Sequence, residues 1–252
     1  MRYFLDITFK GTKYAGWQIQ PNAYAVQQAM NETLSMVIRD EINCVGAGRT
    51  DAGVHARQLI IHFDTNKELP DRFMHSMNGI LPFDISVNGI YTPNVPHLHS
   101  RFHATSRAYF YQIVRRKSPI HYDFAMRIGH ELDVAAMNEA AKVLFEFEEF
   151  GAFCKSNAGN QTNLCDMMRA EWVDEGDLLK FHIRANRFLR GMVRGIVGTL
   201  LMVGAGKLTV EGFRQIVASQ DRTNAGPNAD AKGLFLSEVN YPEGSLIPWS
   251  PS

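Results

Sequence analysis

The stretch "EINCVGAGRTDAGVHARQLIIHF", residues 41–63, predicts two β-strands separated by a short, glycine-rich loop. The apolar runs "EINCVGA" and "RQLIIHF" have the residue types of strands. The loop between them carries one carboxylate, Asp51, which lies between Arg49 and His55 with three glycines nearby. An ordinary surface turn would explain this composition. A site that needs a carboxylate kept ionised would explain it equally well.

Regular patterns on both sides place this strand pair in the order β-α-β-β-α-β. Residues 2–9 alternate polar and apolar as a strand does, and residues 26–37 have apolar side chains at helical spacing. A second helix is expected over 70–80, and "DISVNGIY", residues 84–91, closes the half as a strand.

The rest of the chain repeats this plan without repeating the sequence. The expected elements are a strand at 106–114, a helix from Asp133 to about Phe147, a hairpin over 168–185 around "DEGD", a long helix from Arg187, a shorter helix after Thr209 and a last strand at 233–239. Two such halves are typical of ferredoxin-like folds.

We therefore predict an α+β protein of two ferredoxin-like β-α-β-β-α-β halves. Their sheets are expected to join into one mostly antiparallel sheet, with the helices on one side and a cleft between the halves. The expected domains are residues 1–98, which carry the aspartate loop, and residues 99–240, followed by a tail at 241–252. This fold hosts many functions, so the functional argument rests on individual residues.

Composition and length narrow the class of protein. The 252 residues are 45% hydrophobic and 21% charged, as in a folded protein. The N-terminus alternates instead of running apolar, so we expect no signal peptide. No stretch approaches the roughly 18 consecutive apolar residues of a membrane span, so we expect none. Three cysteines that fit no C-x-x-C pattern argue against a disulfide framework or a cysteine zinc site, and favour a reducing cytoplasm.

Charge is balanced overall but unevenly distributed along the chain. The 26 basic and 26 acidic residues cancel, yet no acid occurs between Asp84 and Asp123 or between Asp177 and Glu211. Both acid-free runs contain several cations with interleaved aromatic residues. A neutral protein with this distribution can present a positive groove, which is typical of nucleic-acid binding. A chance fluctuation remains the alternative.

Two groups within these runs could contact a nucleic acid. Arg187, Arg190 and Arg194 follow one another at helical spacing, so they would share a face of the long helix. Arg107 and Tyr109 share one face of the strand "SRAYFYQIV", where an aromatic ring beside a cation can stack on a base. A solvated helix face and an ordinary core strand explain the same patterns.

A metal site is the weakest of the chemical alternatives. The closest histidine cluster, His97, His99 and His103, has no carboxylate at ligand spacing, and no H-E-x-x-H pattern occurs. Asp51 is thus the one carboxylate in a distinctive setting, and a neighbouring arginine would keep it ionised. An ionised, desolvated carboxylate can act as a nucleophile.

At this point the sequence resembles the tRNA pseudouridine synthase A family. The loop "GAGRTDAGVHA" is the family's signature, and further matches run in order along nearly the whole chain: "GTKYAGWQIQP", "VQQAMNETL", "ATSRAYFYQI", "NRFLRGMVRGIVGTL" and "AKGLFLSEVNYP". The resemblance implies isomerisation of uridine to pseudouridine at positions 38 to 40 of the tRNA anticodon stem-loop. It implies no metal and no organic cofactor, tRNA as the partner, and a homodimer whose basic cleft spans both chains.

The resemblance also implies roles for individual residues. Asp51 matches the catalytic nucleophile, Arg49 the arginine that fills the space left by the flipped base, and Tyr109 the tyrosine that stacks on that base. Arg194 is the expected ion partner of Asp51, and Leu234 is expected to line the pocket. The expected RNA-binding surface includes Arg107, Arg115, Arg116, Arg187 and Arg190.

Three positions depart from the family pattern, and two other functions stay open. Lys10 replaces the usual tyrosine and acid, Ala108 a basic residue, and Gly191 a larger residue that we expect inside the long helix. A non-catalytic RNA-binding protein would tolerate Asp51→Asn. A metal-dependent hydrolase using Asp51 and histidines would lose activity with a chelator.

Overall fold

The structure is a computed structural model that describes residues 1–155, 159 and 161–250. The predicted α+β class is confirmed, because the described residues form ten strands, mostly antiparallel, and five α-helices. The chain divides into two compact units. Unit one contains residues 1–105 and the described residues from 236 onward, and unit two contains residues 106–235.

Unit one has the predicted element order. Its elements are β1 (Arg2–Phe9), α1 (Val26–Ile38), β2 (Val45–Gly46), β3 (His55–Asp64), α2 (Phe73–Ile80) and β4 (Ile85–Pro93). Strand β1 lies between β4 and β3, both antiparallel to it. The short strand β2 pairs with β3. The predicted strand at 41–47 is therefore formed by only two residues.

Alternation along β1 assigns its two faces. Tyr3 stacks on Phe63 of β3 at 5.7 Å, and Phe63 stacks on Phe73 of α2 at 6.3 Å, so this face of the strands lies under a helix. Asp6 is at an even-numbered position of β1, on the opposite face from Tyr3, and its carboxylate accepts a hydrogen bond from Gln58 Nε2 at 2.8 Å. Burial of apolar side chains on one face is what the period of two requires.

Unit two repeats the plan with short additions. Its elements are β5 (Ser106–Val114), β6 (Met126–Arg127), α3 (Val134–Lys142), β7 (Met167–Glu175), β8 (Leu178–Ala185), α4 (Met192–Gly204) and α5 (Val210–Ser219). Strand β8 pairs antiparallel with both β5 and β7. Strand β9 (Leu234–Asn240) begins in this unit and continues into unit one, where β10 (Leu246–Pro248) pairs with β4.

Helix ends in unit two follow local capping chemistry. Asp133 Oδ1 accepts from the Ala136 backbone N–H at 2.8 Å, and Thr209 Oγ1 accepts from Gly212 at 3.0 Å. These caps satisfy backbone donors that have no partner inside the helix. The predicted starts at Asp133 and after Thr209 are confirmed.

The prediction of a long helix from Arg187 is wrong in its start. Helix α4 begins at Met192, and its N-cap, Gly191, has a φ of 76°. Only a glycine adopts this left-handed conformation at little cost, so the residues before it cannot continue the helix. Arg187 and Arg190 therefore lie in the connection after β8 and share no helix face with Arg194. Gly191 ends that connection instead of interrupting a helix.

Candidate functional site

The loop that carries Asp51 leaves β2 and returns to the chain at β3. At its first end, the Ala47 N–H donates to the Ile60 carbonyl at 2.8 Å. At its second end, the Val54 N–H donates to the Asp51 carbonyl at 3.2 Å, which closes a four-residue turn that begins at Asp51. Asp51 is half-buried and Arg49 is exposed. The carboxylate thus lies on a backbone fixed at both ends.

A second segment, residues 11–17, supports this loop through its backbone. The Trp17 N–H donates to the Thr50 carbonyl at 3.3 Å, and the Gly53 N–H donates to the Tyr14 carbonyl at 3.4 Å. The Gly11 N–H donates to His55 Nδ1 at 3.0 Å, so Nδ1 carries no proton. These bonds hold the residues on both sides of Asp51.

Close packing between the two segments requires glycine at two positions. Gly16 has a φ of 89°, and a side chain there would overlap the Thr50 carbonyl oxygen. A Cβ atom on Gly46 would lie 2.7 Å from the indole nitrogen of Trp17. Gly16 in "GTKYAGWQ" and Gly46 in "GAGRTDAG" therefore serve the contact between these two motifs.

A partly buried hydrogen bond anchors the supporting segment to the residue before β4. The Tyr14 hydroxyl donates to Asp84 Oδ1 at 2.6 Å. Burial, and then the Asp84 carboxylate, raise the pKa of Tyr14, so its hydroxyl stays protonated and remains the donor. The Tyr14 ring also stacks on Tyr24 at 6.0 Å. Tyr14 thus holds the segment through its side chain, in addition to the backbone bonds to the Asp51 loop.

In unit two, Tyr109 and Arg107 lie on β5 as predicted. The half-buried ring of Tyr109 meets Phe188 edge-on, with 5.1 Å between centroids. Arg107 Nη1 donates to the Asn186 carbonyl at 2.8 Å. The connection between β8 and α4 therefore contacts both side chains and restricts their positions.

Arg194 lies in the first turn of α4 and is tied to the segment before β9. Its Nε donates to the Ala229 carbonyl at 2.7 Å, and its own carbonyl accepts from the Ala229 N–H at 3.0 Å. The next residue, Asp230, accepts from the Tyr111 hydroxyl through its carbonyl at 2.8 Å. Leu234 follows as a buried residue at the start of β9. The segment 229–234 is thus bound to Arg194 at its first residue and ends at Leu234.

The predicted surface arginines have partners that the sequence pattern does not show. Arg115 pairs with Asp174 at 2.7 Å and Arg116 with Asp177 at 3.3 Å, both acids of the β7–β8 hairpin. Arg187 Nη1 donates to Thr162 Oγ1 at 3.2 Å, and Arg190 is exposed. Part of the charge in the acid-free run at 85–122 is therefore offset in space.

The histidines near residue 100 have structural contacts. His99 Nδ1 accepts from the Arg101 N–H at 3.1 Å, and His103 Nδ1 accepts from the His99 N–H at 3.0 Å. Within the described ranges, no group of three or more His, Cys, Asp or Glu side chains is placed to hold a metal ion.

Two buried cysteines are poor candidates for a nucleophile. Burial raises the pKa of Cys44 to about 12 and that of Cys165 to about 11, so both thiols stay protonated. In the described part of the chain, no helix is long and apolar enough to cross a membrane.

Sequence reasoning placed Asp51 and Arg49 on one loop of unit one, and Tyr109, Arg194 and Leu234 in unit two. It assigned no role to Tyr14, Trp17, His55 or Asp84, which hold the loop of unit one. The available signal was the spacing of glycines at 11, 16 and 46, which indicates close backbone approach. Sequence alone does not say which two segments approach each other.

Comparison with known proteins assigns the class. A family model described as tRNA pseudouridine synthase matches residues 140–242. The chain belongs to the tRNA pseudouridine synthase family, which makes it an isomerase that modifies uridine in tRNA. The family membership expected from its motifs is confirmed.

Relatives named tRNA pseudouridine synthase A match nearly the whole chain. The protein of Parabacteroides distasonis is 46% identical over 98% of both chains. That of Bacteroides thetaiotaomicron is 46% identical over 96% of this chain and 91% of its own. That of Geobacter sulfurreducens is 37% identical over 94% of this chain and 98% of its own.

Proposed function

We propose that this chain converts uridine to pseudouridine at positions 38, 39 or 40 of the tRNA anticodon stem-loop, with Asp51 as the nucleophile. The observation that supports this role is the loop itself. Hydrogen bonds fix the backbone on both sides of a half-buried aspartate, which begins a tight turn. A nucleophile held in one geometry loses little entropy on reaching its target.

The reaction is a balanced isomerisation that needs no external group. The Asp51 carboxylate forms a covalent bond to the substrate, and the bond between ribose C1′ and uracil N1 breaks. The uracil turns, C1′ bonds to C5, and the covalent bond to Asp51 breaks. C5 loses its proton to solvent, and N1 gains a proton.

The other site residues stabilise the RNA after the target base has flipped out of its stack. The target must leave its stack, at a cost of a few kcal/mol. Arg49, exposed on the same loop as Asp51, fills the space that the base leaves. Tyr109 stacks on the flipped uracil, Leu234 lines the pocket, and Arg194 is the ion partner of Asp51. The contact of Tyr109 with Phe188 supports its role, because a restricted ring loses less freedom on stacking.

Binding of tRNA involves the basic side chains of unit two and a second copy of the chain. Arg107, Arg187 and Arg190 contact phosphates, and Arg115 and Arg116 do so beside their acidic partners. The protein acts as a homodimer in the cytoplasm. Affinity is expected to fall steeply with salt, because phosphate neutralisation releases counterions.

Tritium release from tRNA labelled at uridine C5 tests the proposal. Wild-type protein with a chelator should release tritium, and Asp51→Ala should release none while still binding tRNA. Asp71→Ala, which removes an exposed carboxylate of the same unit, is the matched control and should remain active. Release by Asp51→Ala would contradict the nucleophile. Loss of release with the chelator would favour a metal-dependent reaction. Wild-type binding without release would favour a non-catalytic RNA-binding protein.

A further inference from the structure

A phenylalanine is fully exposed at the tip of the turn between α2 and β4. The Ile85 N–H donates to the Pro82 carbonyl at 2.9 Å, so residues 82–85 form a β-turn with Phe83 at its second position. Phe83 is 107% exposed, as much as in an extended peptide, so its ring packs against no other side chain of the described residues. The ring therefore contributes no burial to folding.

The backbone that carries this ring is nevertheless well fixed. Before the turn, the Leu81 N–H donates to the Met77 carbonyl at 2.9 Å, and after it the Asp84 carbonyl accepts from the Lys10 N–H at 2.9 Å. The Asp84 side chain accepts from the buried Tyr14 hydroxyl. A rigid backbone thus presents an aromatic ring to solvent, which lowers the entropy lost when the ring binds a partner.

This turn lies at the same end of the strands as the Asp51 loop. Phe9, the last residue of β1, pairs with Ile85 of β4 on one side and with Ala56 of β3 on the other. Phe83 precedes Ile85 by two residues, and the Asp51 loop ends at Val54, two residues before Ala56. Neighbouring strands are about 4.8 Å apart, so roughly 10 Å separates the backbones of Ile85 and Ala56, from which the turn and the loop extend at the same end of the strands.

Several cations lie at the same end of the strands as Phe83. Lys10 and Lys13 follow the end of β1, Arg49 lies on the Asp51 loop, and Arg57 lies near the start of β3. Acids also lie at this end: Asp51 on the loop, and Asp84, whose carboxylate accepts from the Tyr14 hydroxyl. An exposed aromatic ring with cations around it is how proteins hold unpaired bases, since the ring stacks on the base while the cations contact phosphates.

We propose that Phe83 is a further substrate-binding residue, which stacks on an unpaired base of the RNA next to the nucleotide that Asp51 attacks. This inference rests on the proposed function and adds a second contact to that site. With the bases of the turn and of the Asp51 loop roughly 10 Å apart, one RNA loop can reach both, because consecutive unstacked nucleotides can diverge by that distance while their backbone stays continuous. Stacking is tolerant of base identity, so this contact adds affinity for an open loop and little sequence preference.

The test compares three variants at position 83 with a matched control. Phe83→Ala, Phe83→Leu and Phe83→Trp are assayed for pseudouridine formation and for binding of an anticodon stem-loop by fluorescence anisotropy. The control is Phe102→Ala, which removes another largely exposed phenylalanine, 73% exposed, of the same unit. The Phe102 ring lies 4.4 Å from the His99 ring, and His99 lies 4.6 Å from His62 of β3, which is seven residues from His55 at the start of that strand.

Phe83→Ala should raise KM and the stem-loop Kd about tenfold, the usual loss for one base stack, with kcat and Tm unchanged. Phe83→Trp should restore both values, and Phe83→Leu should not, because it keeps apolar surface without an aromatic face. Phe102→Ala should match wild type.

Wild-type affinity in Phe83→Ala, full function in Phe83→Leu, or an equal loss in Phe102→Ala would each overturn the proposal. If wild-type protein binds the stem-loop but forms no pseudouridine, the proposed function fails and the Kd values still decide the role of Phe83. Wild-type protein that does neither overturns both.

Discussion

The backbone N–H of Trp17 donates a hydrogen bond to the carbonyl oxygen of Thr50, the residue before Asp51, at 3.3 Å. The residue before Trp17, Gly16, lies so close to the same oxygen that it has no room for a side chain. Two motifs more than thirty residues apart are therefore one structural unit. The position of the proposed nucleophile therefore depends on a segment outside its own loop.

Gly16→Ala is expected to displace the Asp51 loop. The substitution places a side chain at a φ of 89° and against the Thr50 carbonyl, so it should lower the free energy of unfolding by about 2 kcal/mol or more. Gly48→Ala is the matched control, since a Cβ there meets no atom of the described residues within 4 Å. Urea unfolding and tritium release would measure both effects. Equal behaviour of the two variants would contradict the packing argument.

Tyr14→Phe is expected to destabilise unit one by about 2 kcal/mol, because it leaves the Asp84 carboxylate without its buried donor. Turnover should fall as well, because the Tyr14 backbone carbonyl accepts from the Gly53 N–H of the loop, and a shift of this residue without its Asp84 anchor would move the loop. Tyr24→Phe removes a hydroxyl that donates to Glu32 at an exposed site and should change stability by less than about 0.5 kcal/mol. Similar losses in both variants, measured by urea unfolding, would count against this distinction.

Phe188→Ala is expected to impair turnover through Tyr109. The two rings meet edge-on at 5.1 Å, so removing one allows the other to rotate. We expect kcat to fall about tenfold, with a smaller change in tRNA affinity, because the misplaced ring affects the flipped base more than the phosphate contacts. Tyr109→Phe keeps the stack and should lower turnover more than binding. Unchanged kcat in Phe188→Ala would show that this contact does not position Tyr109.

Stability should fall as pH decreases below neutrality, because of His62. Its ring lies 5.5 Å from Phe4 and 4.6 Å from His99, and burial, with the charges of Arg2 and His99, lowers the pKa of His62 to about 4. The unfolded chain, with an ordinary histidine pKa, binds the proton more tightly, so the stabilisation is present above about pH 6.5 and lost toward pH 4.

The expected loss from this group between pH 7 and pH 5 is about 2 kcal/mol. Urea unfolding at the two pH values measures it, and His62→Phe should reduce the difference by that amount. His99, whose pKa is lowered in the same direction, retains its contribution in the variant. An identical pH dependence in both proteins would contradict the assignment to His62.

Charge distribution shows where sequence reasoning reached its limit. The sequence contains no acid from residue 85 to 122, yet Asp174 and Asp177 pair with Arg115 and Arg116. The β7–β8 hairpin brings these acids beside β5 because β8 pairs with it. Counting charges along the sequence does not reveal an ion pair between residues about sixty positions apart, which strand pairing brings together.

The start of α4 shows a second limit, of a different kind. Leu189, Met192 and Val193 are all buried, so the apolar spacing that predicted a helix from Arg187 is real. Leu189 nevertheless lies outside the helix, because Gly191 adopts a positive φ. Periodicity reports which side chains are buried and does not exclude a turn that buries them equally well.

The sequence by itself determined the element types, their order in unit one, the loop that presents Asp51 and the family to which the chain belongs. These properties depend on local periodicity, on capping residues such as Asp133 and Thr209, and on short motifs. The tertiary structure alone decided that residues 11–17 hold that loop, that Phe83 lies at its end of the strands, and which acids meet Arg115 and Arg116. Each of these depends on strand register and close backbone packing between distant segments, which local pattern does not encode.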